Sequence, residues 1–309
     1  MTQNLNDMTN RVGSKRRFAL GLLLALVLGV AGWVGSARLR LPSPSPLPSL
    51  TASAEDTVWG DPRVRAFVEA YRPLIDSVTY GEEDVVFSVG TRPIHFLDGR
   101  MLEEGRLDRV KDCDSIFYSY SLEPLTEPPP LAEEASTSCT DVLESLWGRT
   151  ETEIRMNGQS TTFLGHRLFV NSLLVDALAA VERDMLEAAT DDGSVNDWID
   201  EINITYSFID REIAGSLTRS YHAFGLAVDF EPNSYQGLQA YWRWSRVFNR
   251  EEWHLIPLEQ RWSPPQAVVE IFERHGFVWG GKWPRFDVVH FEYRPEILLY
   301  NRLISSGRE

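Results

Sequence analysis

Arg219 to Asp229 reads R-S-Y-H-A-F-G-L-A-V-D, and Trp279 to Tyr293 reads W-G-G-K-W-P-R-F-D-V-V-H-F-E-Y. The first stretch offers an imidazole and a carboxylate, His222 and Asp229, with Gly225 between them and Ser220 two residues before the histidine. Such a pair supplies two ligands of a zinc site of the kind that keeps one position open for water. A third ligand must then come from elsewhere in the chain. His290 in the second stretch is the candidate, and Asp287 stands three positions before it.

Both stretches read as strands. Over Leu226 to Phe230, alternation puts Ala227 and Asp229 on one face and Val228 and Phe230 on the other. Over 290 to 293 it puts His290 and Glu292 on one face, Phe291 and Tyr293 on the other, so Glu292 can accept a hydrogen bond from a ligand imidazole. Gly225 suits a close approach of the His222 loop to the strand that follows. Asp287 falls on the wrong face of a regular strand, so the chain must bend beside Pro284 for it to act as general base on a metal-activated water. Arg211 or Arg219 can supply a cation for the developing oxyanion. His95, His166, His254 and His275 lack such partners in the sequence and read as ordinary core or surface residues, His254 being the nearest to a cleft. A lone His-x6-Asp pair is a weak signal. The joint pattern of Ser220, His222, Gly225, Ala227 and Asp229 with Asp287 and His290 is a specific one.

With these residues in view, the chain resembles the zinc D-alanyl-D-alanine carboxypeptidases and the related L-alanyl-D-glutamate endopeptidases that cut peptidoglycan stem peptides. The resemblance runs over roughly residues 160 to 300. It implies an α+β fold, with a central antiparallel sheet carrying the zinc and helices packed around it. It implies His222, Asp229 and His290 as zinc ligands, Asp287 as catalytic acid/base, and Ser220 as the serine preceding the first ligand. It also implies a substrate-binding arginine upstream of the first histidine, for which Arg211 is preferred to Arg219. Many members have glutamate as base, whereas the endopeptidase branch commonly has aspartate, as here. W-G-G-x-W leans toward the endopeptidases and a membrane anchor toward the carboxypeptidases, so the bond cut stays open. A non-catalytic wall-binding or sensor module with a structural zinc, and a wall amidase, are the rival readings.

The chain has 309 residues, 43% of them apolar, which is enough for one or two domains with a sizeable core. A net charge of -15 argues against a nucleic-acid or anionic-membrane surface as the main partner and makes a neutral or cationic ligand easier to accommodate. Arg11, Lys15, Arg16 and Arg17 precede an uncharged run from Phe18 to Ala37 that can span a bilayer as a helix of about twenty residues. A cleavable signal segment ending near Gly35-Ser36-Ala37 is the alternative, but the run exceeds the usual signal core of about 7 to 15 residues. The expected order is a cytoplasmic basic tail (1–17), an anchor or signal segment (18–37), a proline-rich stalk (38–54), a part of unassigned role (55–150) and a zinc peptidase domain (151–309). Everything after the anchor would lie outside the cytoplasm, or be secreted if the segment is cleaved. Cys113 and Cys139 both fall in that exported part and are expected to pair, which would stabilise the fold by about 3 to 4 kcal/mol.

Between the motifs, the spacing of Val64, Phe67, Val68, Tyr71, Leu74 and Ile75 predicts a helix from Asp61 to Val78, and residues 84 to 97 predict two strands. Asn157-Gly158 suggests a hairpin turn between 152–156 and 160–163. A helix follows Asn171, a strand covers Ile202 to Ser207, and a last helix begins at Ser263-Pro264-Pro265 and ends at Gly276. The aromatics Tyr235, Tyr241, Trp242, Trp244, Phe248, Trp253 and Trp262 read either as packing or as a cleft wall for an extended substrate.

Overall fold

Alternation in the two motif stretches builds a single sheet. In the computed structural model, which describes residues 60–306 apart from 82–83, 90–91, 132–137 and 214–216, the architecture is α+β with antiparallel sheets and packed helices. In chain order the elements are α1 (Pro62–Tyr71), β1 (Ser77–Tyr80), β2 (Val85–Val89), β3 (Arg92–Leu97), β4 (Arg100–Glu103), α2 (Asp141–Trp147) and α3 (Glu151–Met156). The next are β5 (Gly158–Phe163), β6 (His166–Asn171), α4 (Leu173–Ala188), α5 (Gly193–Glu201), β7 (Ile202–Tyr206) and β8 (Ala227–Pro232). Last come α6 (Trp242–Phe248), α7 (Gln266–Arg274), β9 (Phe277–Trp279), β10 (His290–Tyr293) and α8 (Pro295–Ser306).

The sheet that matters has the order β7-β8-β10-β9 and is antiparallel throughout. Its two faces differ in chemistry. Phe230 of β8 and Phe291 of β10 turn to the core, where Phe291 stacks on Phe272 of α7 at 4.1 Å. Phe272 also meets Phe163, Phe230 and Phe277, making it the hub of an aromatic cluster under the sheet. The opposite face presents Asp229 and His290. A second sheet, β1-β2-β3-β4, is a meander, and β5-β6 is a separate hairpin. One buried apolar cluster includes residues from α1 through α8. Cys113 and Cys139 are joined as a disulfide packed on Leu102, with Cα atoms 5.3 Å apart.

Several local expectations are corrected. The helix starting after Asp61 stops at Tyr71 rather than Val78, because Pro73 has no N–H to continue the ladder and its ring clashes with the preceding turn. Asp61 does cap it, accepting from Arg63 N at 2.8 Å. Residues 151–156 form α3 rather than a strand. Thr150 and Glu153 make a reciprocal capping box, Thr150 Oγ1 accepting from Glu153 N at 3.2 Å and Glu153 Oε2 from Thr150 N at 3.0 Å. The hairpin therefore lies one element later, between β5 and β6, with its turn at Leu164-Gly165. The helix ending before Gly276 is α7, and α8 follows it. Among the described residues no helix is long and apolar enough to cross a membrane. The basic tail, the anchor or signal segment and the stalk lie outside the described residues.

Truncating Phe272 to alanine removes the centre of the aromatic cluster and is expected to cost about 3–5 kcal/mol. Denaturant unfolding should show this as a lower midpoint at an unchanged slope.

Candidate metal centre

Three backbone devices bring the candidate ligands together. Antiparallel pairing of β8 with β10 sets Asp229 directly opposite His290. His222 rides a short 3-10 turn, Tyr221–Phe224, which Ser220 caps by accepting from His222 N at 3.3 Å. The turn ends at Gly225 with φ of 68°, and Asn171 N donates to Gly225 O at 2.8 Å. A Cβ at Gly225 would stand 2.7 Å from Asn171 N, so the close approach is to the end of β6 and not to the strand that follows.

The inward atoms form a tight triangle. His222 Nε2 lies 3.1 Å from Asp229 Oδ1 and 3.1 Å from His290 Nδ1, and His290 Nδ1 lies 2.8 Å from Asp229 Oδ1. For bonds of about 2.0–2.1 Å, a tetrahedral zinc site has ligand–ligand edges of about 3.3 Å, close to this spacing. The outward nitrogens fix the tautomers. His222 Nδ1 is 2.6 Å from the Ser207 carbonyl, which can only accept, so Nδ1 donates and Nε2 keeps its lone pair. His290 Nε2 is 3.2 Å from Glu292 Oε2, so in the neutral ring the proton sits there and Nδ1 points its lone pair inward. Two lone pairs and a carboxylate oxygen thus converge on one point in a buried setting. This donor set fits a divalent cation such as zinc.

The titration directions say the same. Burial would lower the His290 imidazole, but Asp229 and Glu292 outweigh burial and raise it to about 10. Burial would raise the Asp229 carboxyl, but His222 and His290 hold it well below the usual carboxylate range. Positive charge is strongly favoured at this point of the fold.

Behind His290 runs a buried relay that the motifs did not disclose. Arg294 Nη1 donates to Glu292 Oε1 at 3.0 Å, Arg294 Nε to Glu296 Oε1 at 2.5 Å, and Arg294 Nη2 to the Ile116 carbonyl at 2.7 Å. Tyr71 of α1 donates to Glu296 Oε2 at 2.9 Å. The guanidinium also lies 4.4 Å over the Tyr221 ring. Continuing the period-two pattern of His290 and Glu292 by one step would have flagged Arg294. Nothing in the sequence pointed to Tyr71, Ile116 or Ser207, which are remote along the chain.

Asp287 sits just before β10 in the bend the sequence required, with a bridge to Tyr241 and its carbonyl accepting from His290 N at 3.3 Å. Burial, reinforced by Asp229, raises its carboxyl to about 6 against the opposing pull of His290, His222 and Arg211, so it can both take and give a proton near neutrality. A Cβ on Gly280 would be 2.5 Å from Asp287 O, which accounts for a glycine in the W-G-G-K-W approach. Trp283 packs 5.3 Å from the His290 ring. Arg211 is exposed, and its charge acts on Asp287 and Tyr241. Arg219 is engaged elsewhere, donating to the Arg149 carbonyl at 2.6 Å and pairing with Asp210 at 3.3 Å. His95 and His275 do have acidic partners, Asp84 and Asp184, but away from this centre.

A family model described as D-alanyl-D-alanine carboxypeptidase matches residues 214–293. The resemblance to the peptidoglycan metallopeptidases holds for this segment. It contains His222, Asp229, His290 and Asp287, whereas Asn171, Ser207, Ile116 and Tyr71 lie outside it. No curated protein and no solved structure matches the chain.

Glu292→Gln keeps the side chain's size but weakens its grip on His290. Zinc affinity read by competition with a chelator is expected to fall about 10–100-fold, with the far-ultraviolet spectrum unchanged.

Proposed function

We propose that the chain is a zinc-dependent peptidase that hydrolyses peptidoglycan stem peptides, anchored in a membrane by residues 18–37 with its catalytic part outside the cytoplasm. The observation that carries this reading is the convergence of His222 Nε2, His290 Nδ1 and Asp229 Oδ1 beside a carboxyl that titrates near neutrality. The family match over the same residues supports the substrate class.

His222, Asp229 and His290 would hold the ion. Zinc bound there supplies a Lewis acid and acidifies a water ligand to a pKa of about 7. Asp287 takes the proton from the attacking water and later delivers it to the leaving amine. Arg211 faces the developing negative charge, or the substrate carboxylate, from the solvent side. Glu292, Arg294 and Glu296 hold the His290 ring in its tautomer and orientation through both steps.

Mass spectrometry of stem-peptide fragments incubated with the full chain tests this. Loss of a terminal D-alanine assigns the carboxypeptidase activity, and cleavage between L-alanine and D-glutamate assigns the endopeptidase one. Asp287→Ala is expected to lower kcat by about 10²–10⁴-fold while bound zinc is retained, and a chelator is expected to abolish turnover. Fragments left intact by zinc-loaded wild-type protein would favour a binding module instead.

A further inference from the structure

Alone among the helices of the described residues, α6 exposes three large apolar side chains. Trp244 is 53% exposed, Val247 71% and Phe248 85%, and Leu255 in the adjoining turn is 60% exposed. Positions 244, 247 and 248 share one helix face. Arg246 is exposed on the same helix and Arg250 just after it, and Arg243 and Arg285 lie 5.1 and 5.7 Å from the Trp242 ring. Four arginines on or next to this one short helix stand out in a chain of net charge -15. The exposed acids nearest along the chain are Glu251 and Glu252.

The ridge is held by a built scaffold. Ser245 is buried and donates to Gln239 at 2.8 Å, Trp242 packs 5.2 Å from Trp253, and Trp253 N donates to Asn249 O at 3.1 Å. Trp244 is braced edge-on by Tyr235 and Tyr241.

We propose that α6 and the turn carrying Leu255 form a docking face for an anionic lipid surface. Tryptophan, phenylalanine and aliphatic side chains enter the boundary between headgroups and acyl chains, while arginines meet lipid phosphates. A second copy of this face would bring four more arginines against the first four. A sugar strand would stack on aromatic rings but gain little from Val247 and Leu255. The face borders the metal centre, because Trp242 N donates to Phe286 O at 3.0 Å and Tyr241 bridges to Asp287. Docking would therefore hold the site close to the bilayer. This goes beyond the proposed hydrolysis and does not depend on it.

The described cysteines are both in the disulfide, so Val247→Cys offers a single thiol for a fluorophore. The full chain is reconstituted into phosphatidylcholine vesicles with brominated acyl chains, with and without phosphatidylglycerol. Leu186→Cys on α4, also exposed, is the reference site. Quenching at position 247 is expected to exceed that at 186 about twofold, only with phosphatidylglycerol, and to fade in high salt. Arg246→Gln combined with Arg250→Gln should lower the docking constant about 25-fold, from roughly fivefold per basic residue. Equal quenching at the two sites, or quenching indifferent to phosphatidylglycerol, overturns the proposal. So does a response of the 247 label to soluble glycan strands without lipid, which would make this a wall-binding face. Because the readout needs no turnover, an Asp287→Ala chain that still docks separates this inference from the peptidase reading.

Discussion

Two imidazole nitrogens and a carboxylate oxygen held about 3 Å apart in a buried pocket repel one another unless a positive charge, a proton on His290 or a cation, lies among them. The rest of the structure serves to keep them there. The Ser207 carbonyl and the Glu292 carboxylate take the outward protons of the two histidines, so neither ring can relieve the repulsion by changing tautomer. A cation at the centre is then electrostatically favoured, and burial strengthens its attraction to all three groups.

Holding Glu292 as an anion behind His290 raises its own difficulty, since an unpaired buried carboxylate is costly. Arg294 answers it by sitting between Glu292 and Glu296, with the Ile116 carbonyl and the Tyr221 ring satisfying the rest of the guanidinium. Tyr71 closes the relay from α1. His290, a candidate metal ligand, is thus braced by residues from both ends of the described chain. Residues 62–120 contribute to this bracing although they lie outside the segment matching the family.

The division of labour across the sheet follows from strand geometry. Phe230 and Phe291 pack downward on Phe272, and because side chains alternate, Asp229 and His290 must point up. A slip of one residue in the β8–β10 register would bury the ligands in the aromatic cluster and expose the phenylalanines, so core packing fixes the ligand geometry. Asp287 escapes the alternation because it precedes β10, in a turn whose tightness depends on Gly280.

The amino-acid sequence by itself picked out His222, Asp229 and His290, which the fold does bring together, the bend before His290, the two alternating strands and the helix start at Asp61. Each piece is written in residue type and spacing within its own short stretch, and the joint occurrence of the two motif stretches carried the resemblance that implied an α+β fold. The sequence misplaced the hairpin near Asn157, because a turn signal competed with the Thr150–Glu153 capping box and the box prevailed. Tertiary structure alone decided that Asp229 faces His290, that Gly225 is pressed on Asn171, and that Arg219 is occupied by Asp210 while Arg211 stays exposed with its charge acting on Asp287. It alone joined Tyr71 to His290 through Glu296, Arg294 and Glu292. Such contacts link residues up to 225 positions apart, and no periodicity in a chain carries information over that distance until packing brings the elements together.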